Sequence, residues 1–117
     1  SMQIQVHTDD KVQGGESLNA WVETEIKDKL ARFSEHITRI EAHLSDASGT
    51  RVGVADKHCT LEARLAGHAP QAVNHEAAKV ADAMHGALDK LARKLEHTLG
   101  RARDAHGRDT VRGVTGE

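Results

Sequence analysis

The chain contains no tyrosine, and Trp21 and Phe33 are its only tryptophan and phenylalanine. Proteins that hold single-stranded nucleic acid by base stacking present several aromatic rings on a sheet or groove. Two aromatics cannot build such a platform, so contact with nucleic acid is limited to phosphates, 2′-hydroxyls and shape. Cysteine is almost absent too. Cys59 stands alone, which excludes an internal disulfide and fits a reducing compartment. No apolar run approaches the about 20 residues of a membrane span. No basic segment followed by an apolar stretch opens the chain, so a cytoplasmic protein with no membrane partner is expected. Ser1 before Met2 reads as a cleavage remnant, which makes Met2 the expected native start.

Catalytic signatures are missing as well. The sequence has no nucleophile elbow, phosphate loop or dinucleotide fingerprint. Gly14–Gly15 lacks the flanks of a phosphate-binding loop and reads as a turn, and Asp9–Asp10 has no base near it in sequence. We therefore expect no enzyme, no catalytic residue, no cofactor and no small-molecule substrate. Nine histidines raise the question of a metal, but no two have HxxxH spacing, and zinc needs three or four converging ligands. His7 and His43 meet on an open sheet face only if their strands are neighbours, with His58 pointing the same way. The expectation is no metal site, and surface histidines that make binding sensitive to pH.

The patterns that are present describe one domain, since about 117 residues suffice for a single core. "MQIQVHT" alternates, with Met2, Ile4 and Val6 on one side, as a half-buried strand does. Ser17 is placed to cap a helix whose apolar positions are Leu18, Val22, Ile26, Leu30 and Phe33. Trp21 lies off that stripe, at the expected edge of the helix–sheet contact. "TRIEAHLSD" alternates again, with Ile40, Ala42 and Leu44 inward. "ASGTRVGVADK" reads as a flexible connection. "HCTLEARLAG" is a third strand with Cys59, Leu61, Ala63 and Leu65 inward, where Cys59 is an inert core thiol. After Gly67 and the lone Pro70, "QAVNHE" is a short fourth strand. From Glu76 to Leu99 the period turns helical, through Val80, Met84, Leu88, Leu91, Leu95 and Leu99.

The expected fold is α+β in the order β-α-β-β-β-α. A four-stranded, mostly antiparallel sheet would carry two helices on one face, with one parallel pair where a helix joins two strands. Residues 2–100 form this domain, and residues 101–117 are expected to be a disordered polar tail.

Charge is unevenly spread. Residues 1–89 hold 9 Lys/Arg and 14 Asp/Glu, a net of −5, whereas residues 90–117 hold 7 and 4, a net of +3. Asymmetry of this kind suggests an anionic partner. On a wheel of the last helix the apolar stripe covers roughly 0–100° from Val80. Asp82, Asp89 and Glu96 form a line near about 180°, and Lys79, Lys90, Arg93, Lys94, His97 and Arg101 fall at roughly 220–320°. The signs are segregated, where a helix selected only for solubility interleaves them as i,i+4 pairs. Two readings stand at this point. The basic stripe is either a solvated face, complementing the helix dipole at its C-terminal end, or a surface for RNA phosphates. On the first helix Lys27, Lys29 and Arg32 are interspersed with Glu23, Glu25 and Asp28.

The element order, the opening "MQIQVHT", the stretch "KLARFSEHITRIEAHLSD" and the closing "DKLARKL" together resemble the ribosome hibernation-promoting factor and ribosome-associated inhibitor family. The resemblance covers about residues 2–99 and is closest to the short form, without the C-terminal domain that pairs ribosomes. It implies a fold like a double-stranded-RNA-binding domain. It also implies a cytoplasmic, non-enzymatic factor seated in the small ribosomal subunit, on rRNA backbone. There it would compete with mRNA and tRNA during stress or stasis. Lys29 and Arg32 match basic positions late in the family's first helix, and Lys90, Leu91 and Arg93 match its "KLxR" core. Glu96, Thr98 and Leu99 follow where the family continues with basic residues, and Ala81 and His85 replace a tyrosine and an acidic or amide residue. Lys94, Arg101 and Arg103 are placed to compensate.

The expected rRNA-binding residues are Lys29, Arg32, Lys79, Lys90, Arg93, Lys94 and Arg101. The alternative is a non-ribosomal protein-interaction module using the open sheet face or the acidic line Asp82/Asp89/Glu96. A third reading, general binding of duplex RNA, predicts equal affinity for isolated RNA and for subunits.

Overall fold

Each alternating segment forms a strand, and each segment of helical period forms a helix. The computed structural model describes residues 2–47 and 55–111, with residues 101–111 as backbone alone. The elements are β1 (Gln3–Thr8), α1 (Gly15–Lys29), a 3-10 turn (Ala31–Phe33), β2 (Ile37–Asp46), β3 (Lys57–Leu65), β4 (Gln71–Ala77) and α2 (Val80–Val111). One sheet holds the strands in the order β1-β2-β3-β4. β1 runs parallel to β2 because α1 carries the chain back across the sheet, and the remaining pairs are antiparallel.

Period-two alternation gives the sheet two unlike faces. Ile40, Ala42 and Leu44 of β2 and Cys59, Leu61 and Ala63 of β3 are buried beneath the helices. From α1 come Val22 and Ile26, with Leu30 just after it, and from α2 come Met84, Leu88, Leu91, Leu95 and Leu99. A fully buried side chain of this kind contributes about 1.5–3 kcal/mol. Both helices cover the same face, and α2 lies over β3 and β4. The opposite face is open.

Several boundaries differ from the sequence reading. Helix α1 begins at Gly15, and Ser17 sits inside its first turn with no side-chain cap at the helix start. Gly14 performs the entry: its φ is 137°, and its carbonyl accepts the Leu18 N–H at 3.1 Å. A Cβ at position 14 would lie 2.5 Å from the Leu18 Cβ, so only glycine fits. Gly14 and Gly15 are thus the start of a helix. Phe33 is carried by the 3-10 turn after α1, and it remains buried. Asp9 joins strand ends: Oδ1 accepts the Lys11 and Val12 N–H groups at 3.1 Å, and Oδ2 accepts the Asp46 N–H at 3.1 Å. Trp21 is half-buried against His85 of α2, ring edge to face at 5.4 Å, so it marks the helix–helix boundary.

The largest difference is at the C-terminal end. Helix α2 continues through Gly100 to Val111, where a polar tail had been expected from residue 101. Gly100 costs about 1 kcal/mol relative to alanine in a helix interior, and no proline follows it to stop propagation. The rest of that expected tail, residues 112–117, lies outside the described residues, as does most of the expected connection at 48–54.

Candidate nucleic-acid interface

The angular order of charges around α2 fixes what each row of side chains meets. The side near about 180° faces α1. There Lys29 Nζ lies 2.9 Å from Asp89 Oδ1, and Arg32 Nη1 donates to Glu96 Oε1 at 2.5 Å. The guanidinium of Arg32 also sits over the Phe33 ring, 4.5 Å from its centroid. The Lys29 hydrogen bond holds the Asp89 carboxyl below its ordinary value of 3.8, against the opposing effect of burial, with Arg93 and His85 adding to the attraction. Two of the three acidic residues spaced by seven are therefore partners for Lys29, the last residue of α1, and Arg32 of the following 3-10 turn. That pairing engages two residues of the acidic line, both about half exposed.

The other flank of α2 overhangs β4, the edge strand. Lys90 donates from Nζ to the Asn74 carbonyl at 2.9 Å, and Lys94 donates to the Ala72 carbonyl at 3.2 Å. Lysines at a sheet edge cover carbonyls that would otherwise invite another strand. Arg93 lies between the two flanks, exposed, and lines the shallow groove between the helices with Lys29, Arg32, Asp89 and Glu96.

Of the seven expected basic residues, Lys29, Arg32 and Arg93 thus share the interhelix groove, and Lys90 and Lys94 flank it toward β4. Lys79 is exposed just before α2, and its carbonyl accepts the Ala83 N–H at 3.0 Å. Arg101 lies on the α2 backbone beyond Gly100. The arrangement is a basic strip interrupted by two carboxylates. Sequence reasoning identified both charged rows but not their contact. The signal was available in the match between a seven-residue acidic spacing and two basic residues three apart, Lys29 at the end of α1 and Arg32 in the 3-10 turn that follows.

The open sheet face has a different character. It mixes Arg39, Glu41, Glu62 and Arg64 with His7, His43 and His58, and it carries no large apolar side chain. A face of mixed sign attracts polyanions less than a one-signed strip does. Cys59 offers no chemistry here, since burial pushes its thiol up to about 12.

The family model of the Sigma 54 modulation protein / S30EA ribosomal protein matches residues 4–106. The chain belongs to this family. Membership places it among ribosome-associated factors. The fold also agrees with solved structures. The N-terminal domain of Protein Y from Thermus thermophilus superposes with a TM-score of 0.66 at 20% identity, covering 83% of this chain and 99% of that one. A ribosomal subunit interface protein from Coxiella burnetii gives 0.63 at 17% identity, covering 85% and 99%. A comparison with curated proteins finds no match. Among the described residues, no helix of this S30EA family member is long and apolar enough to cross a membrane.

Proposed function

We propose that this S30EA family member is a cytoplasmic, non-enzymatic hibernation factor. It binds rRNA of the small ribosomal subunit along the helical face and occupies the path of mRNA and tRNA. The observation that carries this reading is the exposed basic strip of Lys90, Arg93 and Lys94, on one side of a helix whose opposite side is fixed in the core. Lys79 and Arg101 extend the strip along the sequence at helical spacing, and Lys29 and Arg32 border it. Without an aromatic platform, recognition rests on backbone phosphates and shape.

Sedimentation with small subunits and whole ribosomes across a salt series tests the proposal. Each phosphate contact adds about −0.7 to −0.9 to the slope of log K against log[salt]. Lys90→Glu combined with Arg93→Glu is expected to abolish co-migration at moderate salt, and mRNA with initiator tRNA is expected to compete with the unaltered protein. Affinity unchanged by the double charge reversal would exclude this strip as the contact. Equal affinity for free duplex RNA would exclude the ribosome as the specific partner.

A further inference from the structure

We propose that His7, Glu41 and His43 bind one divalent transition-metal ion of the zinc class on the open face of the sheet. The site is built by strand register. Parallel pairing sets His7 of β1 directly opposite His43 of β2, and Glu41 lies two residues before His43 on the same face. Glu41 Oε1 is 3.6 Å from His7 Nε2 and 3.5 Å from His43 Nε2. All three ligand atoms lie within 4.8 Å of one another, the only such group among the described residues.

These separations are close to what coordination requires. With metal–ligand bonds of about 2.0–2.2 Å, neighbouring ligand atoms of a tetrahedral site lie about 3.3–3.5 Å apart. The carboxylate–imidazole distances of 3.6 and 3.5 Å match this separation to within about 0.1 Å. The two imidazoles are stacked, with centroids 4.6 Å apart and planes 13° from parallel, so their in-plane lone pairs run side by side. Rotation about χ2, a soft torsion in histidine, makes them converge. Both side chains have the freedom to turn, being 48% and 51% exposed.

The carboxylate, by contrast, is held. Arg39 Nη2 hydrogen-bonds Glu41 Oε2 and also donates to Gln5 Oε1 at 3.3 Å, leaving Oε1 directed at the imidazoles. An outer partner of this kind orients a ligating group. The Arg39 charge weakens attraction for a cation, and the next strand adds one charge of each sign to this face, Glu62 opposite Glu41 and Arg64 opposite Arg39. Two imidazoles and one carboxylate select zinc, copper or nickel over magnesium or calcium, which prefer all-oxygen sites. Three protein ligands leave a fourth position for water or an outside donor. No spacing in the sequence signals the site, because its ligands come from two strands whose pairing only the fold defines.

Calorimetric titration of the full chain with zinc chloride, and absorption spectroscopy with cobalt(II) chloride, test the assignment. One equivalent is expected to bind, with d–d bands for cobalt and a rise in melting temperature with zinc. His7→Ala and His43→Ala are each expected to weaken binding at least about tenfold. His58→Ala, on the same face, should leave it unchanged, and all three variants should keep the wild-type circular dichroism. No zinc binding by the unaltered protein would overturn the proposal. So would one-equivalent binding that survives both His7→Ala and His43→Ala.

Discussion

His75 of β4 fills the space that a side chain at position 86 of α2 would need. A Cβ built on Gly86 would come within 2.1 Å of His75 Cδ2 and 2.4 Å of its Nε2. Glycine is otherwise a poor choice for a helix interior, costing about 1 kcal/mol against alanine. At this position it lets α2 settle onto the imidazole of the edge strand.

Gly86→Ala should therefore destabilise the fold by about 1–3 kcal/mol, as overpacking does, in spite of alanine's better helix propensity. Adding His75→Ala should reverse the sign and return up to about 1 kcal/mol relative to His75→Ala alone. Urea denaturation of the four proteins of this cycle measures both quantities. Additive effects would show that the two positions do not share the space described.

The ion pairs between α1 and α2 set a second expectation, which rests on the proposed ribosomal role. Replacing Asp89 and Glu96 by alanine frees Lys29 and Arg32 from their partners. Ribosome affinity should rise, and the salt slope should steepen by up to about two contacts' worth. Stability should change little, because exposed pairs contribute about 0–1 kcal/mol each. A weaker affinity would mean that the two carboxylates position the basic groups and do not compete for them.

The buried thiol gives a third. Cys59 has no exposed surface, and its thiol is raised from the ordinary 9.0 to about 12. A thiol-specific disulfide reagent at mildly alkaline pH should leave the native protein unlabelled and add one equivalent in urea. The native state keeps this proton while the unfolded chain loses it. The stabilisation is thus complete below about pH 9 and fades as pH rises toward 12. Native-state labelling as fast as that of the unfolded chain would contradict the burial.

Much of the fold was legible because its signals are local. Alternation in "MQIQVHT" or "TRIEAHLSD" depends only on which face a residue takes, and the core residues of β2, β3 and α2 follow directly. Misreadings arose where the backbone, and not the side-chain pattern, decides. Gly14 starts α1 through a positive φ that no hydroxyl cap announces. The apolar period ends at Leu99, yet α2 runs on to Val111, since one glycine inside a helix is only a modest cost. At the site, charge segregation around α2 was visible from a wheel. Its consequence was not, since the contact of Asp89 with Lys29 depends on how two helices lie side by side. The meeting of His7 with His43 likewise follows from parallel register across residues far apart in sequence.

The parallel pairing of β1 with β2 also dictates an order of assembly. β3 and β4 each follow their antiparallel neighbour directly in sequence, so each can zip onto the strand made just before it. β1 precedes the other three strands but has no partner until α1 and all of β2 have followed, and parallel closure across a helix is an inherently slow, non-local step. Of these four strands, the earliest in sequence is the one that must wait.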